Sequence, residues 1–532
     1  MKIQKLKLKN FRGYRDEMEI KFDNFTAFVG KNDIGKSTIL EALDIFFNDT
    51  DAINKIDKTD LNVDARNCAE KDHEISIAVC FSDLPEQIVI DATNKTNLKA
   101  EYLLNKDGEL EIVKKYKNGS SSAKVFIRAM HPTNPSCNNL MQMKDANLRS
   151  IIASNNIDCD NKSVNAVMRS AIWQYFDNKE GLQLDTTEIE VATKGGDTKS
   201  IWEKLQTYLP LYSLFQSDRK NTDGDSEVQD PLKEAVKEIL SDNNLQQKLN
   251  EVAATVEEKL KDVANRTLAK LSEMDPDIAK TLQPVIPPAE SLKWQDVFRN
   301  VSIASDENIP INKRGSGVKR LILLNFFRAE VERRQDNTNA ANVIYAIEEP
   351  ETSQHSENQK KLIKALSQLA ETNGVQVIIT THSPTIVKKL DFANIRIVSK
   401  DSKGARKIID TPPQVLPYPS LNEVNYIAFS EISEEYHNEL FGHIKACGWL
   451  GLYKQHKKTF KYITARFDKK GNDITDPNKP DYLTKTEIIR NQIHHPENKH
   501  NPHRFTDAEL RTSIEEMRKF IQAQNYQTDQ QE

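Results

Sequence analysis

No stretch of this 532-residue chain approaches the ~18 consecutive apolar residues that a membrane-spanning helix requires, so no bilayer segment is expected. The first residues are basic but alternate polar with apolar side chains, and so lack the unbroken apolar core of a signal peptide. Cysteine is scarce. Cys68, Cys80, Cys137, Cys159 and Cys447 share no metal-binding or disulfide spacing, which argues against a disulfide scaffold and suits a reducing cytoplasm. A large excess of either charge is also missing: 74 basic residues face 79 acidic ones, for a net charge of −5. Without a global basic field, any binding of nucleic acid must be local. Internal repeats are absent, and the length allows two to four domains with a well-buried core.

Against these absences, two segments stand out. Gly30-Lys31-Asn32-Asp33-Ile34-Gly35-Lys36-Ser37 has the GxxxxGKS spacing of a phosphate-binding loop, between the apolar run Phe25 to Val29 and a helical stripe of Ile39, Leu40, Leu43, Phe46 and Phe47. Glycines let the backbone wrap an anion, the amides and the helix start donate to phosphates, Lys36 neutralises charge and Ser37 reaches Mg²⁺, with Thr38 beside it. Far downstream, the apolar strand Val343 to Ile347 delivers Glu348 and Glu349. One carboxylate suits a metal's water shell, and the next suits orientation of a water for attack on the γ-phosphate. A further apolar strand from Val375 ends in Thr380-Thr381-His382, placing His382 as a phosphate contact.

Together these motifs resemble the ABC/SMC superfamily of ATPases, in its branch with RecF and the overcoming-lysogenization-defect (OLD) proteins; the likeness covers roughly residues 1–95 and 200–400. The resemblance implies an α/β fold, an ABC-type ATPase with two lobes around a mixed sheet, a helical insertion and, here, a mainly helical C-terminal module. It implies ATP and Mg²⁺ as cofactors, a phosphate-contacting role for Arg12 in Asn10-Phe11-Arg12-Gly13-Tyr14, and a metal-contacting role for Gln216. The stretch Arg314-Gly315-Ser316-Gly317 is similar to the signature motif, so Ser316 and Gly317 of one copy would cap the phosphate bound by another, making a homodimer or higher oligomer. Two departures are present: Glu348 replaces the usual Asp, and Asp33 replaces the glycine common after the loop asparagine, adding negative charge near phosphate.

The expected domains are a first ATPase part over 1–130, a mainly helical insertion over 131–290 that includes Gln216, a second ATPase part over 291–410, and a C-terminal helical module over 411–532. A turn-rich hairpin pair is expected between Leu98 and Gly119. Asp230-Pro231 opens a long helical region with an apolar repeat through Leu245, Leu249, Val252, Val256, Leu260 and Val263, too short for the coiled-coil arms of SMC proteins. After His382 the OLD likeness lapses, because no Asp-x-Asp of a Toprim nuclease follows in a strand context.

The tail instead carries seven of the eleven histidines. Its Arg490-Asn491 and His495 resemble the Arg-Asn-x-x-x-His motif of HEPN domains, many of which are ribonucleases; the alternative is a solvated helix end. Tyr453 to Lys470 interleaves seven basic residues with Tyr453, Phe460, Tyr462 and Phe467, either a nucleic-acid contact or an ordinary charged face. An OLD-like ATPase joined to a non-Toprim module is similar to Septu-type (PtuA-like) anti-phage ATPases of the bacterial cytoplasm. That resemblance implies an HNH nuclease partner and, in some retrons, a reverse transcriptase with its multicopy single-stranded DNA. A self-contained ribonuclease and a RecF-like repair ATPase stay open as alternatives.

Overall fold

The computed structural model describes residues 1–49, 52, 55–67, 73–89, 95–117, 119–191, 197–216, 239, 240, 242, 244–255, 258, 342–352, 356–401, 404–410, 415–418, 420–455, 457–466, 468, 470, 471, 473–501 and 503–529. The chain divides into two units, Met1–Thr26 with Gly35–Thr380, and Ala27–Ile34 with Thr381–Glu532.

In the first unit, β1 (Lys2–Lys9) alternates lysines with the buried Ile3, Leu6 and Leu8, as a strand with one dry face should. It pairs antiparallel with β2 (Met18–Lys21) and β4 (Glu74–Ser82). The sheet continues through β7 (Leu110–Lys117), β8 (Lys124–Pro132) and β9 (Leu184–Glu190), in the order β2-β1-β4-β7-β8-β9. A short ladder of β5 (Ile88–Val89) with β6 (Lys95–Thr96) lies between β4 and β7 in sequence. The expected hairpin pair at 98–119 is therefore corrected: residues 98–109 turn, and the strand that follows finds its hairpin partner in β8. Inside the sheet Glu111, 2 % exposed, accepts Lys7 and Arg128 at 2.9 Å each, so its buried charge is compensated. Helices Asp145–Ser154 and Asn165–Glu180 lie within the expected insertion of 131–290, and buried Arg169 is held there between Glu101 and Asp197.

The same unit holds a parallel set, β10 (Leu211–Phe215), β11 (Val343–Glu348) and β12 (Val375–Thr381). Their near-continuous apolar sequences reflect burial on both faces, the usual state of parallel strands. Helix Ser356–Ala370 links β11 to β12. One polar residue interrupts β12: Gln376, whose Oε1 accepts from Ile3 N–H at 2.8 Å and whose Nε2 donates to the carbonyls of Ile3 and Asp23 at 3.0 and 3.2 Å. These bonds sit where β1 bulges between Ile3 and Lys5 and leaves ladder groups unpaired.

β3 (Phe25–Val29) begins in the first unit, and its last three residues belong to the second. There Ala27–Val29 pairs parallel with Ile395–Ile397 of β13 (Ile395–Lys400), which pairs antiparallel with β14 (Arg406–Asp410). The mainly helical C-terminal module follows, with helices Leu421–Phe429, Glu434–Ala446, Leu450–Lys454, Lys485–His494 and Asp507–Asp529. Tyr436, Leu440, Ile444, Ile489, Ile514 and Met517 lie in its core. Ser420, Ser433 and Thr484 cap helix starts with their hydroxyls, Thr484 within a capping box closed by Glu487. A two-stranded ladder of β15 (Thr459–Tyr462) with β16 (Asp481–Thr484), absent from the helical reading of the tail, interrupts the helices. Of the long helical region, residues 244–255 are helical apart from any cap, with Val252 exposed; Asp230, Pro231, Val256, Leu260 and Val263 lie outside the described residues.

Candidate nucleotide site

The buried strand β3 feeds straight into Gly30, where glycine is a steric requirement: a Cβ there would stand 2.5 Å from the Val398 carbonyl oxygen. The loop then turns through Asp33 at φ 58 and Gly35 at φ 106, both in the left-handed region. That explains the departure at Asp33. Asp and Asn accept this conformation better than other side chains, so the turn survives the loss of glycine. Helix Lys36–Asn48 starts immediately after Gly35, with no side-chain cap and no acidic residue in its first turn. Its first amides therefore meet no capping side chain and no carboxylate from the helix's own first turn, a start that suits an anion. Asn32 is exposed, Lys36 is buried, and Ser37 and Thr38 are half-buried.

Ser37 Oγ donates to Glu348 at the end of β11. A hydroxyl and a carboxylate are hard oxygen donors of the kind that fit Mg²⁺ completed by phosphate and water. Among the described residues no group of three or more His, Cys, Asp or Glu is arranged to hold a metal by itself. Glu349 follows at φ 44, a left-handed conformation costly for this residue, and its N–H donates to the Thr380 carbonyl at 3.0 Å. The neighbouring strands thus fix the backbone that aims the second carboxylate. Phe215 is level with Ile347 and Glu348 with Thr380, so Gln216, the residue after β10, leaves the sheet at the same C-terminal edge where ligands collect in α/β sheets. His382 directly follows β12 and is half-buried. A cavity of about 550 Å³ lined by Met1, Asn342 and Gly374 opens at the opposite, N-terminal ends of these strands, away from the carboxylates.

Arg12 is placed on carboxylates of the protein. Its guanidinium meets Glu41 of the first helix at 2.6 Å and Asp60 at 2.7 Å, and its φ is 48. Burial pulls its pKa down, but the two acids outweigh this and leave it above the ordinary arginine value. Sequence reading missed Tyr14, a buried residue whose hydroxyl donates to the Gly35 carbonyl at 3.1 Å; its position two residues after Arg12 was the available signal. Ser316 and Gly317 lie outside the described residues.

In the C-terminal module Arg490 and His495 take different partners. The Arg490 guanidinium lies 5.3 Å over the Phe441 ring, whereas His495 caps the helix end, is largely exposed and bonds Glu497 through Nδ1 at 3.3 Å. The basic stretch is partly neutralised: Lys454 pairs with Glu487 and Lys457 with Glu516. Tyr453 and Tyr462 are core residues, which leaves Phe460 as its exposed aromatic among the described residues.

Residues 1–387 match the family described as AAA ATPase domain. The chain belongs to that family. Binding of ATP and ATPase chemistry follow from the membership together with the phosphate loop. Two relatives are OLD nucleases by name. That of Escherichia phage P2 is 27% identical over 189 residues, 33% of this chain and 32% of that protein. That of Thermus scotoductus is 33% identical over 97 residues, 18% of this chain and 17% of that protein. The chain therefore spans about a third and about a sixth of their lengths. A crystal structure of an Smc head bound to the C-winged helix domain of ScpA covers 77% of this chain and 98% of its own, at 14% identity and a TM-score of 0.36, a likeness too loose for residue correspondences. No helix among the described residues is long and apolar enough to cross a membrane.

Proposed function

We propose that this chain is the ATP-binding and ATP-hydrolysing sensor and assembly subunit of a bacterial anti-phage complex, gating a separate nuclease of HNH type. The observation that carries the catalytic half is the contact of Ser37 with Glu348, 311 residues apart, with Glu349 beside it in a strained conformation. Ser37, Gln216 and Glu348, the last through water, would hold the magnesium ion, which supplies neutralisation of phosphate charge. Glu349 takes a proton from the attacking water as the water oxygen bonds to the γ-phosphorus and the bridging bond to ADP breaks. His382 contacts the γ-phosphate, and Ser316 and Gly317 of a second copy complete the site in a homodimer.

Support for gating comes from two directions. The partial likeness to proteins named OLD nucleases supports a link to nucleic-acid chemistry, while its tail keeps Arg490 on Phe441 and His495 at the surface. A reverse transcriptase with its multicopy single-stranded DNA is the further partner of a retron setting, with Lys458, Phe460 and Lys461 on or beside β15 as the nucleic-acid contact. Purified alone with Mg-ATP, the chain is expected to hydrolyse ATP and leave RNA and DNA intact, with cleavage gained on adding the HNH protein encoded beside it. RNA cleavage by the chain alone, lost in His495→Ala, would replace this reading with a self-contained ATP-regulated ribonuclease. ATP-dependent DNA binding without any nuclease partner would favour a RecF-like repair role.

A further inference from the structure

The Leu421–Phe429 helix lies beyond the 387 residues matched by the ATPase family, yet its side chains reach both nucleotide-site loops of its own unit. Ser430 ends it in the left-handed region at φ 60, and its hydroxyl accepts from Nζ of Lys31, in the phosphate loop, at 3.0 Å. Asn425, 2 % exposed, donates Nδ2 to the carbonyl of Pro384, two residues after His382, at 3.4 Å. The same helix is tied to the last helix of the chain. Arg511 Nη2 donates to the Ser430 carbonyl at 3.4 Å, and Arg518 Nη1 donates to Glu423 at 2.8 Å with its guanidinium 4.6 Å over the Tyr426 ring. Arg511 and Arg518 are two turns apart, as are Ser430 and Glu423, so the contacts repeat in register along two antiparallel stretches. Tyr436 also donates to Glu423, at 3.2 Å.

We propose that this helix is a positioning element of the ATPase: Ser430 holds Lys31 and with it the phosphate loop, Asn425 holds the segment after His382, and nucleotide affinity is thereby coupled to the C-terminal module. A loop held by its neighbour loses less freedom when it closes on phosphate, and binding energy must in return stiffen whatever holds it. The inference rests on the phosphate-loop reading above. The coupling also gives the module, which carries none of the loop motifs, a direct physical line to the nucleotide.

The test is Mg-ATP titration of the full-length protein and its variants. Ser430→Gly removes the hydroxyl while glycine accepts the left-handed backbone without strain, so the fold is kept. One charge-assisted hydrogen bond at an exposed site corresponds to a weakening of about two- to tenfold in Kd. Ser430→Gly is expected to show that loss, Ser430→Asn to restore binding to within about twofold, and Ser430→Gly to have no further effect once Lys31→Met is present. ATP should also slow amide exchange over residues 421–431 in the native protein and fail to do so in Ser430→Gly. Native affinity in Ser430→Gly, or an equal loss with and without Lys31→Met, would overturn the proposal. Lys36→Ala separates the two levels: if it binds ATP as the native protein does, the phosphate-loop reading itself is wrong, whereas a loss there beside an unaffected Ser430→Gly rejects only the positioning role.

Discussion

Acid should weaken the C-terminal module through one buried histidine. His437 is fully buried on the Glu434–Ala446 helix, and its Nε2 shares a hydrogen bond with Ser513 Oγ at 3.0 Å, from which the chain of hydroxyls runs on to Thr486 and Tyr453. Burial, reinforced by the nearby positive charge of Arg490, lowers its pKa from 6.5 to about 4. The folded module therefore refuses a proton that the unfolded chain takes up below about pH 6.5. Stability is complete above that value and is lost as pH falls toward 4, because the unfolded state binds more protons across this window. The loss works out to about 2 kcal/mol at about pH 5, approaching about 3 kcal/mol below pH 4. Urea unfolding at about pH 7 and about pH 5, followed by hydrogen exchange in helices Glu434–Ala446 and Asp507–Asp529, measures it. His437→Gln keeps an amide able to bond Ser513 but does not titrate, so its stability should change less between the two pH values by about 2 kcal/mol. Identical losses in the native protein and in His437→Gln would show that His437 is not the group responsible.

Three other outcomes are expected. Glu349→Gln should bind Mg-ATP but hydrolyse it about 10²- to 10⁴-fold more slowly in steady-state phosphate release, since the amide cannot take the proton from water; native turnover would move the base elsewhere. Asp33→Gly should tighten ATP binding several-fold in calorimetric titration, because glycine relaxes the φ of 58 and a negative charge leaves the loop; weaker binding would mean that the Asp33 carboxylate has a positive role. Mixing Lys36→Ala chains with Ser316→Arg chains, each inactive alone, should recover part of the ATPase activity if sites form between copies, and demonstrable mixed dimers without recovery would count against a composite site.

The most legible parts of the sequence were those whose chemistry is local. The run Phe25–Val29 before the GxxxxGKS loop, and the run Val343–Ile347 before two glutamates, each announce a buried parallel strand, and both strands are present. What sequence could not reveal depends on partners distant along the chain. The ion pairs of Arg12 with Glu41 and Asp60 are of this kind, since neither acid is marked by its spacing from the arginine. Asp33 reads as a defect until its left-handed backbone shows why Asp is accepted there. The hairpin of β15 with β16 escaped a periodicity search because four-residue strands rich in polar residues carry too few apolar positions to show an alternation. For Arg490 and His495 the sequence did not show their partners, Phe441 and Glu497, because three fixed positions within one helical turn and a half do not specify which way each side chain faces.

Gln376 sets an order on how this protein can be made. The backbone N–H and C=O of Ile3 are both satisfied by its side chain, 373 residues later in the chain. At ~5–20 residues per second of synthesis, the first strand leaves the ribosome roughly 20 to 75 seconds before the residue that completes it. During that interval β1 has an unfinished bulge and an exposed run of lysine alternating with leucine, held by its β2 and β4 neighbours alone. A fragment ending short of β12 would keep this defect permanently, so the smallest piece of the ATPase part that can close its own first strand must extend through β12.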